Sequence, residues 1–128
     1  MVAGSVAQRQ PKKGRKMQLI TKEIERQLIA NWRNRSEAAE HKPPLKLFTP
    51  WGANTWLISE MNGDDNDLLF GLCDLGMGSP ELGYVSHQEL RDIEGPMGLT
   101  IERDMLFQPE KSLLDYAQEA AEQGAITA

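Results

Sequence analysis

Residues 45–86 constrain the fold most, because this segment holds most of the aromatic and β-branched runs and the clearest turn signals. Residues 55–61 and 67–75 have the composition of strands, and Asn62-Gly63 with a short acidic run separates them. Such a connection is typical of a hairpin loop, so we predict an antiparallel pair. Both faces of 67–75 are mostly apolar, which places this strand at the centre of a sheet that is covered on both sides.

Further strand signals lie on either side of this pair. Residues 45–49 form a short apolar run that Pro50 ends, and residues 82–85 follow a Gly-Ser-Pro turn. Residues 100–107 follow a Gly-Pro turn and alternate in polarity, which predicts another strand. The sheet therefore has four to five strands and is mainly antiparallel.

Three helices are predicted around the sheet. The first begins at the N-cap Thr21 and carries an apolar stripe that recurs every four residues. This stripe, which should lie on the sheet, consists of Ile24, Leu28 and Trp32. A short middle helix starts at the capping box of Ser86 and Glu89. The last helix begins at Ser112 and ends at Gly124, and its alanine-rich face predicts light docking or fraying.

The elements indicate an α+β fold with one folded unit. A chain of 128 residues suits a single domain, which we place at residues 17–128. Residues 1–16 are polar, basic and without periodicity, which predicts a disordered arm. Within the domain, residues 34–44 form a charged connection and residues 110–128 form the C-terminal helix and tail.

Charge is distributed unevenly along the chain. The formal net charge is −5, but residues 1–16 alone carry +5, so the remainder carries −10. From Ile58 onward, three cations stand against 15 carboxylates. An acidic surface favours basic partners and slows the approach of nucleic-acid phosphates.

The compartment is predicted from what the sequence lacks. No apolar run approaches the roughly 20 residues of a membrane span, and no apolar core of a signal peptide follows the N-terminal basic residues. The single cysteine, Cys73, cannot form an internal disulfide. We therefore predict a cytoplasmic protein that does not enter a membrane.

Motifs for chemistry are weak. The acidic run at residues 64–67 lacks the ligand spacing of a calcium loop. The glycines of residues 76–83 miss the dinucleotide spacing and precede a strand, so no helix terminus is there to bind a phosphate. Cys73 has no histidine at a useful spacing and suits a buried apolar position. We assign no catalytic residue, no cofactor and no metal from the sequence.

Several motifs occur together in order: FGLCDLG, PELGYVSHQEL and GPMGLTIERDMLFQP. With them, residues 18–109 resemble a bacterial family of uncharacterised small domains carried on plasmids and integrative conjugative elements. The resemblance implies a small α+β fold and a place on mobile DNA, near genes for conjugation and for evading restriction. It implies no settled activity.

Candidates for partner contact come from exposed aromatic and acidic positions. An indole in a Pro-Gly turn is costly to leave in water, so it either covers the sheet edge or contacts a partner. The partner-binding candidates are Trp51, Trp56, Tyr84 and Glu81.

A second candidate set surrounds an arginine. Arg103 stands between Glu102 and Asp104 in the predicted last strand. It is expected either to form a salt bridge to Glu81 or Glu60 across the sheet, or to grip a ligand beside a pair of carboxylates that perform acid/base work.

Three function hypotheses follow. The first is a non-catalytic acidic module that binds a host or element protein, including one of a restriction-type defence. The second is a DNA-associated accessory for conjugation or maintenance, whose basic arm contacts phosphates. Its candidate residues are Lys12, Lys13, Arg15 and Lys16. The third is a small enzyme that uses Glu81, Glu102 and Arg103.

Overall fold

The structure, a computed structural model, describes residues 18–128 apart from the side chains of Ala38 and Ala39. The predicted basic arm lies outside the described residues. The chain forms a five-stranded antiparallel sheet with the spatial order β4-β3-β2-β1-β5. Its strands are β1 (Leu45–Phe48), β2 (Thr55–Met61), β3 (Leu68–Asp74), β4 (Glu81–Ser86) and β5 (Glu102–Arg103). The prediction of an α+β fold is confirmed.

Three α-helices accompany the sheet, each with a capped N-terminus. They are α1 (Lys22–Arg33), α2 (His87–Asp92) and α3 (Leu113–Gln123). The side chains of Thr21, Ser86 and Ser112 each accept a hydrogen bond from a backbone N–H of the first turn. Gly124 ends α3 with a φ of 78°. A 3₁₀ helix, Arg35–Glu40, occupies the predicted charged connection.

Two strand predictions need correction. The central strand is β2 and not β3, because β1 continues the sheet on the far side of β2 and pairs with β5. The strand expected at 100–107 shortens to Glu102–Arg103. Asp104 turns the chain there, since its carboxylate accepts a hydrogen bond from the Leu106 amide at 3.0 Å and its carbonyl accepts one from the Phe107 amide at 3.3 Å.

The hairpin between β2 and β3 is antiparallel as predicted, but its turn works differently. The Asn62 side-chain oxygen accepts hydrogen bonds from the amides of Asp64 at 2.7 Å and Asp65 at 3.1 Å. Neither Asn62 nor Gly63 has a positive φ. Gly63 is required for space instead, because a Cβ there would lie 2.7 Å from a ring carbon of Trp32.

Two hydrophobic cores lie on opposite faces of the sheet. The core on the α1 side includes Leu28, Leu45, Leu47, Trp56, Ile58 and Leu69. The core on the α3 side consists of Leu57, Leu72, Leu113, Tyr116 and Ala120. Helix α3, which was expected to dock lightly or to fray, is helical over Leu113–Gln123 and buries Leu113, Tyr116 and Ala120 against the sheet, so it docks and does not fray.

The end of β3 is tied to the C-terminal segment by Asp74, whose exposed fraction is 2%. One carboxylate oxygen accepts a hydrogen bond from the Gly76 amide at 2.8 Å, and the other accepts one from the Ile126 amide at 2.9 Å. Within residues 18–128, no helix combines the length and apolarity needed to cross a bilayer.

Candidate functional site

The two faces of the sheet are covered unequally. On its own side of the sheet, α3 packs against Leu57 and Leu72 but leaves the outer part of β3 and β4 uncovered. Tyr84 is 68% exposed there and its ring lies 5.0 Å from that of Phe70, its partner in the register. We call this surface the open face; it consists of Leu68, Phe70, Leu82 and Tyr84.

A cavity of about 510 Å³ borders the open face. Its apolar wall comes from Trp32, Leu68, Phe70 and Tyr84. Its polar lining comes from Arg35, Glu60 and Asn62. We call this cavity the Glu60 pocket.

Glu60 is the most unusual polar group in the pocket. Its side chain is only 10% exposed. From the described residues its carboxylate accepts no hydrogen bond, and the nearest cationic nitrogen is His41 Nδ1 at 4.0 Å, beyond hydrogen-bonding distance. Burial raises the pKa of Glu60 above 4.5, and the nearby charges of His41 and Arg35 offset part of this rise.

His41 lies beside Glu60. Its Nδ1 atom is buried and has no hydrogen-bond partner in the described part of the chain. Buried polar atoms without partners are uncommon, because each one loses its hydration without compensation. This atom lies 4.0 Å from the Glu60 carboxylate, which itself borders the cavity.

A β-bulge in β2 places Glu60 in the pocket. The register between β2 and β3 shifts between Ile58 and Glu60, so that Glu60 lies opposite Phe70 on the open-face side. Without the bulge, the alternation of a strand would turn Glu60 towards α1, on the side of Ile58. Helix α1 supports the bulge, because the Asn31 amide donates a hydrogen bond to the Ser59 carbonyl at 2.9 Å.

Trp32 and Arg35 form the wall at the end of α1. The Arg35 guanidinium lies 4.3 Å from the Trp32 ring centroid and donates a hydrogen bond to the Trp32 carbonyl at 2.9 Å. This contact is a cation–π interaction. Trp32 was predicted to lie on the sheet within the apolar stripe; instead it is half-buried and lines the pocket.

The lining offers two kinds of group to a ligand. Glu60 can accept hydrogen bonds or a proton, and the aromatic rings offer flat apolar surfaces. The arrangement therefore suits a ligand that donates hydrogen bonds and carries a flat or cationic group.

The predicted partner-binding residues lie in different places. Tyr84 and Glu81 are exposed on β4. Trp56 belongs to the core on the α1 side with an exposed fraction of 3%, so its indole packs inside the protein. Trp51 is half-buried and packs on Gly95, where a Cβ would lie 2.4 Å from its ring. Of the four, the open face includes only Tyr84, and Glu81 begins the same strand.

The residues predicted for an enzyme site are not brought together. Glu81 lies on β4 and Glu102 and Arg103 lie on β5, at opposite edges of the sheet. Arg103 donates hydrogen bonds to the backbone carbonyls of Gln18 and Leu19, and the expected salt bridge across the sheet to Glu81 is ruled out by the strand order.

Asp104 and Cys73 have structural surroundings. Asp104 forms an ion pair with Lys46 at 3.3 Å. Cys73 is half-buried against the core, and burial raises the pKa of its thiol. Among residues 18–128, no group of three or more histidine, cysteine, aspartate or glutamate side chains has an arrangement that could hold a metal ion.

A family model described as "Protein of unknown function (DUF2958)" matches residues 19–127, a range that contains all five strands and all three helices. The chain belongs to the DUF2958 family. The predicted resemblance to a family of uncharacterised domains is thereby confirmed, while the place of this DUF2958 domain on mobile DNA stays a prediction. No curated protein and no solved structure matches the chain.

Replacing Glu60 with glutamine is expected to stabilise the DUF2958 domain by about 1 kcal/mol at neutral pH, because a buried charge without a donor is removed. The raised pKa of Glu60 means that the folded state holds this proton more tightly than the unfolded state. The unfolding free energy contributed by Glu60 therefore falls as pH rises above 4.5. Urea denaturation at several pH values measures the difference.

The exposed Glu81→Gln variant serves as the control for this substitution, since the same change of charge occurs there without burial. The stabilisation by Glu60→Gln should fade below pH 4.5, where the carboxyl group is protonated in both states. A variant less stable than the wild type at neutral pH would show that Glu60 holds the fold together.

Proposed function

We propose that the chain is a non-catalytic module that binds a basic protein partner through the open face. The observation that carries this proposal is the pairing of exposed Tyr84 with a pocket whose buried carboxylate lacks a hydrogen-bond donor among the described residues. Tyrosine is over-represented among the residues that dominate binding energy at interfaces. An exposed ring beside an unsatisfied pocket is therefore suited to anchor a partner.

The edge of the sheet supports the same surface. Strand β4 is an edge strand, and no described strand pairs with its outer side. Proteins commonly protect such edges with lysine, proline or a bulge. Glu81–Ser86 contains neither lysine nor proline, and it pairs with β3 without a register shift. An extended segment of a partner can add to this edge while its side chains reach the open face.

The charge of the chain supports a basic partner. Residues 18–128 carry a formal charge of −10, and from Ile58 onward 15 carboxylates face three cations. Such a surface accelerates association with a positively charged protein. Proteins that bind nucleic acid carry positively charged surfaces. We therefore propose that the partner is a DNA-associated protein of the host or of a mobile element, and restriction-type defence proteins are one class of such partners. The alternative in which the chain itself contacts DNA depends on residues 1–16 and stays a prediction.

Site-specific photo-cross-linking in the native host tests this proposal. A benzophenone amino acid is placed at Tyr84 or, as a control, at Leu106, which is 91% exposed and follows β5 at the opposite edge of the sheet. We expect a discrete protein adduct from position 84 and none from position 106. An excess of purified wild-type protein should compete for the partner and suppress the adduct. The Tyr84→Ala protein should need a concentration at least about tenfold higher for the same suppression, because a central tyrosine contributes strongly to affinity.

Two results would contradict the proposal. One is the same adducts from both positions, which would indicate random collision. The other is suppression by Tyr84→Ala protein as strong as by wild type, which would show that the open face does not hold the partner.

A further inference from the structure

We infer that the Glu60 pocket binds the guanidinium group of an arginine side chain. This inference rests on the proposed function only in assigning that arginine to the protein partner. The pocket itself supplies an acceptor and aromatic walls, which are two features that guanidinium recognition uses.

The acceptor is the Glu60 carboxylate. It is nine-tenths buried, borders the cavity and accepts no hydrogen bond from residues 18–128. An ionised carboxylate has two oxygens, and a guanidinium can donate two parallel N–H bonds to them. Such a pair satisfies the carboxylate that residues 18–128 leave without a donor.

The aromatic walls suit the flat face of the same group. Trp32, Phe70 and Tyr84 line the cavity. Trp32 already holds one guanidinium, that of Arg35, 4.3 Å from its ring centroid. This intramolecular contact is an example of a guanidinium group that packs on the aromatic wall. Arg35 itself is exposed, so its long side chain can move towards solvent when a second cation enters.

Other ligands fit less well. A lysine ammonium is a compact charge that neither stacks flat on a ring nor pairs in parallel with a carboxylate. A guanine nucleotide offers parallel donors and a flat ring. Its phosphate, however, is repelled by the formal charge of −10 that residues 18–128 carry. The charges therefore favour arginine.

A titration with short peptides tests this inference without knowledge of the partner. The probe is an acetylated and amidated Gly-Arg-Gly peptide, and the readout is the movement of backbone amide signals of isotope-labelled protein. We expect saturable shifts at residues 60–62, 68–70 and 84. Glu60→Gln should weaken binding at least about tenfold, because it removes the charge from the paired hydrogen bonds. Glu122→Gln, which changes an exposed carboxylate on α3, should bind as wild type does.

The dependence on pH provides a second readout. The charged and titratable groups that face Glu60 are His41, Arg35 and Tyr84. Affinity should fall on acidification, because protonation removes the negative charge of Glu60. The Glu60→Gln protein should lose most of this dependence.

The matching Gly-Lys-Gly peptide and guanosine monophosphate complete the comparison. Lysine binding as tight as that of arginine, tighter binding of the nucleotide, or shifts that Glu60→Gln leaves unchanged would overturn the inference. Loss of arginine binding with a retained cross-link at position 84 would overturn this inference alone. Arginine binding in the pocket without that cross-link would overturn the proposed function alone.

Discussion

Replacing Gly71 with alanine is expected to lower the free energy of unfolding by about 3 kcal/mol. A Cβ at this position would lie 2.1 Å from the Leu57 carbonyl oxygen and 2.8 Å from Ile58 Cα. Both atoms belong to the backbone of β2, so no side-chain rotation can relieve the clash. The two strands would have to separate at the point where the bulge begins. Urea denaturation followed by circular dichroism measures the loss.

Gly83 provides a matched control, because it is the register partner of Gly71 on β4. No atom lies within 4 Å of a Cβ built at Gly83, and its φ is not in the positive range. We expect Gly83→Ala to change stability by less than about 1 kcal/mol and to favour the folded state. Equal effects of the two alanines would show that β2 and β3 are not as close as described.

Replacing Asp74 with alanine is expected to cost about 2 kcal/mol, because two backbone amides at the end of β3 lose a buried acceptor. These amides belong to Gly76 and Ile126, so the substitution also releases the C-terminal segment from the sheet. Urea denaturation measures the loss, and faster hydrogen exchange at the Ile126 amide would identify its cause. The exposed Asp64 provides a control of the same residue type.

Asp64→Ala is expected to leave stability within about 0.5 kcal/mol of the wild type, as for most surface substitutions. If Asp74→Ala were equally mild and the Ile126 amide stayed protected, the tether between β3 and the C-terminal segment would be absent.

Local signals in the sequence predicted the parts of the fold that depend on neighbouring residues. The N-caps at Thr21, Ser86 and Ser112 were found from the residue type and the charges that follow it, and the structure confirms all three. The hairpin of β2 and β3 was found from its turn residues. Each of these features is decided within a few residues, so a short window of sequence contains its cause.

Features that depend on distant contacts were missed. The order of the strands places Glu81 and Arg103 at opposite edges of the sheet, although the sequence predicts a strand near each of them. The docking of α3 buries Leu113 and Tyr116 against Leu57 and Leu72, which lie far from them in the sequence. A short window of sequence contains neither kind of information.

Glu60 was missed as a site residue for a similar reason. The rule of alternation would turn it towards α1, and only the bulge at Ser59 moves it to the open face. A β-bulge is specified by the partner strand, here by the close approach of Gly71, and by the hydrogen bond that Asn31 donates to Ser59. One available signal was the carboxylate itself, which is the one charged side chain of β2.

The central claim is that Glu60 is a carboxylate to which residues 18–128 donate no hydrogen bond, and that a guanidinium supplies the missing donors. The most direct test is the pKa of Glu60, measured by carbon-13 NMR with and without the Gly-Arg-Gly peptide. We predict a pKa above 4.5 in the free protein and a lower pKa in the presence of excess peptide, because the ligand binds the ionised form. A pKa at or below 4.5 in the free protein, or one that the peptide leaves unchanged, would contradict the account.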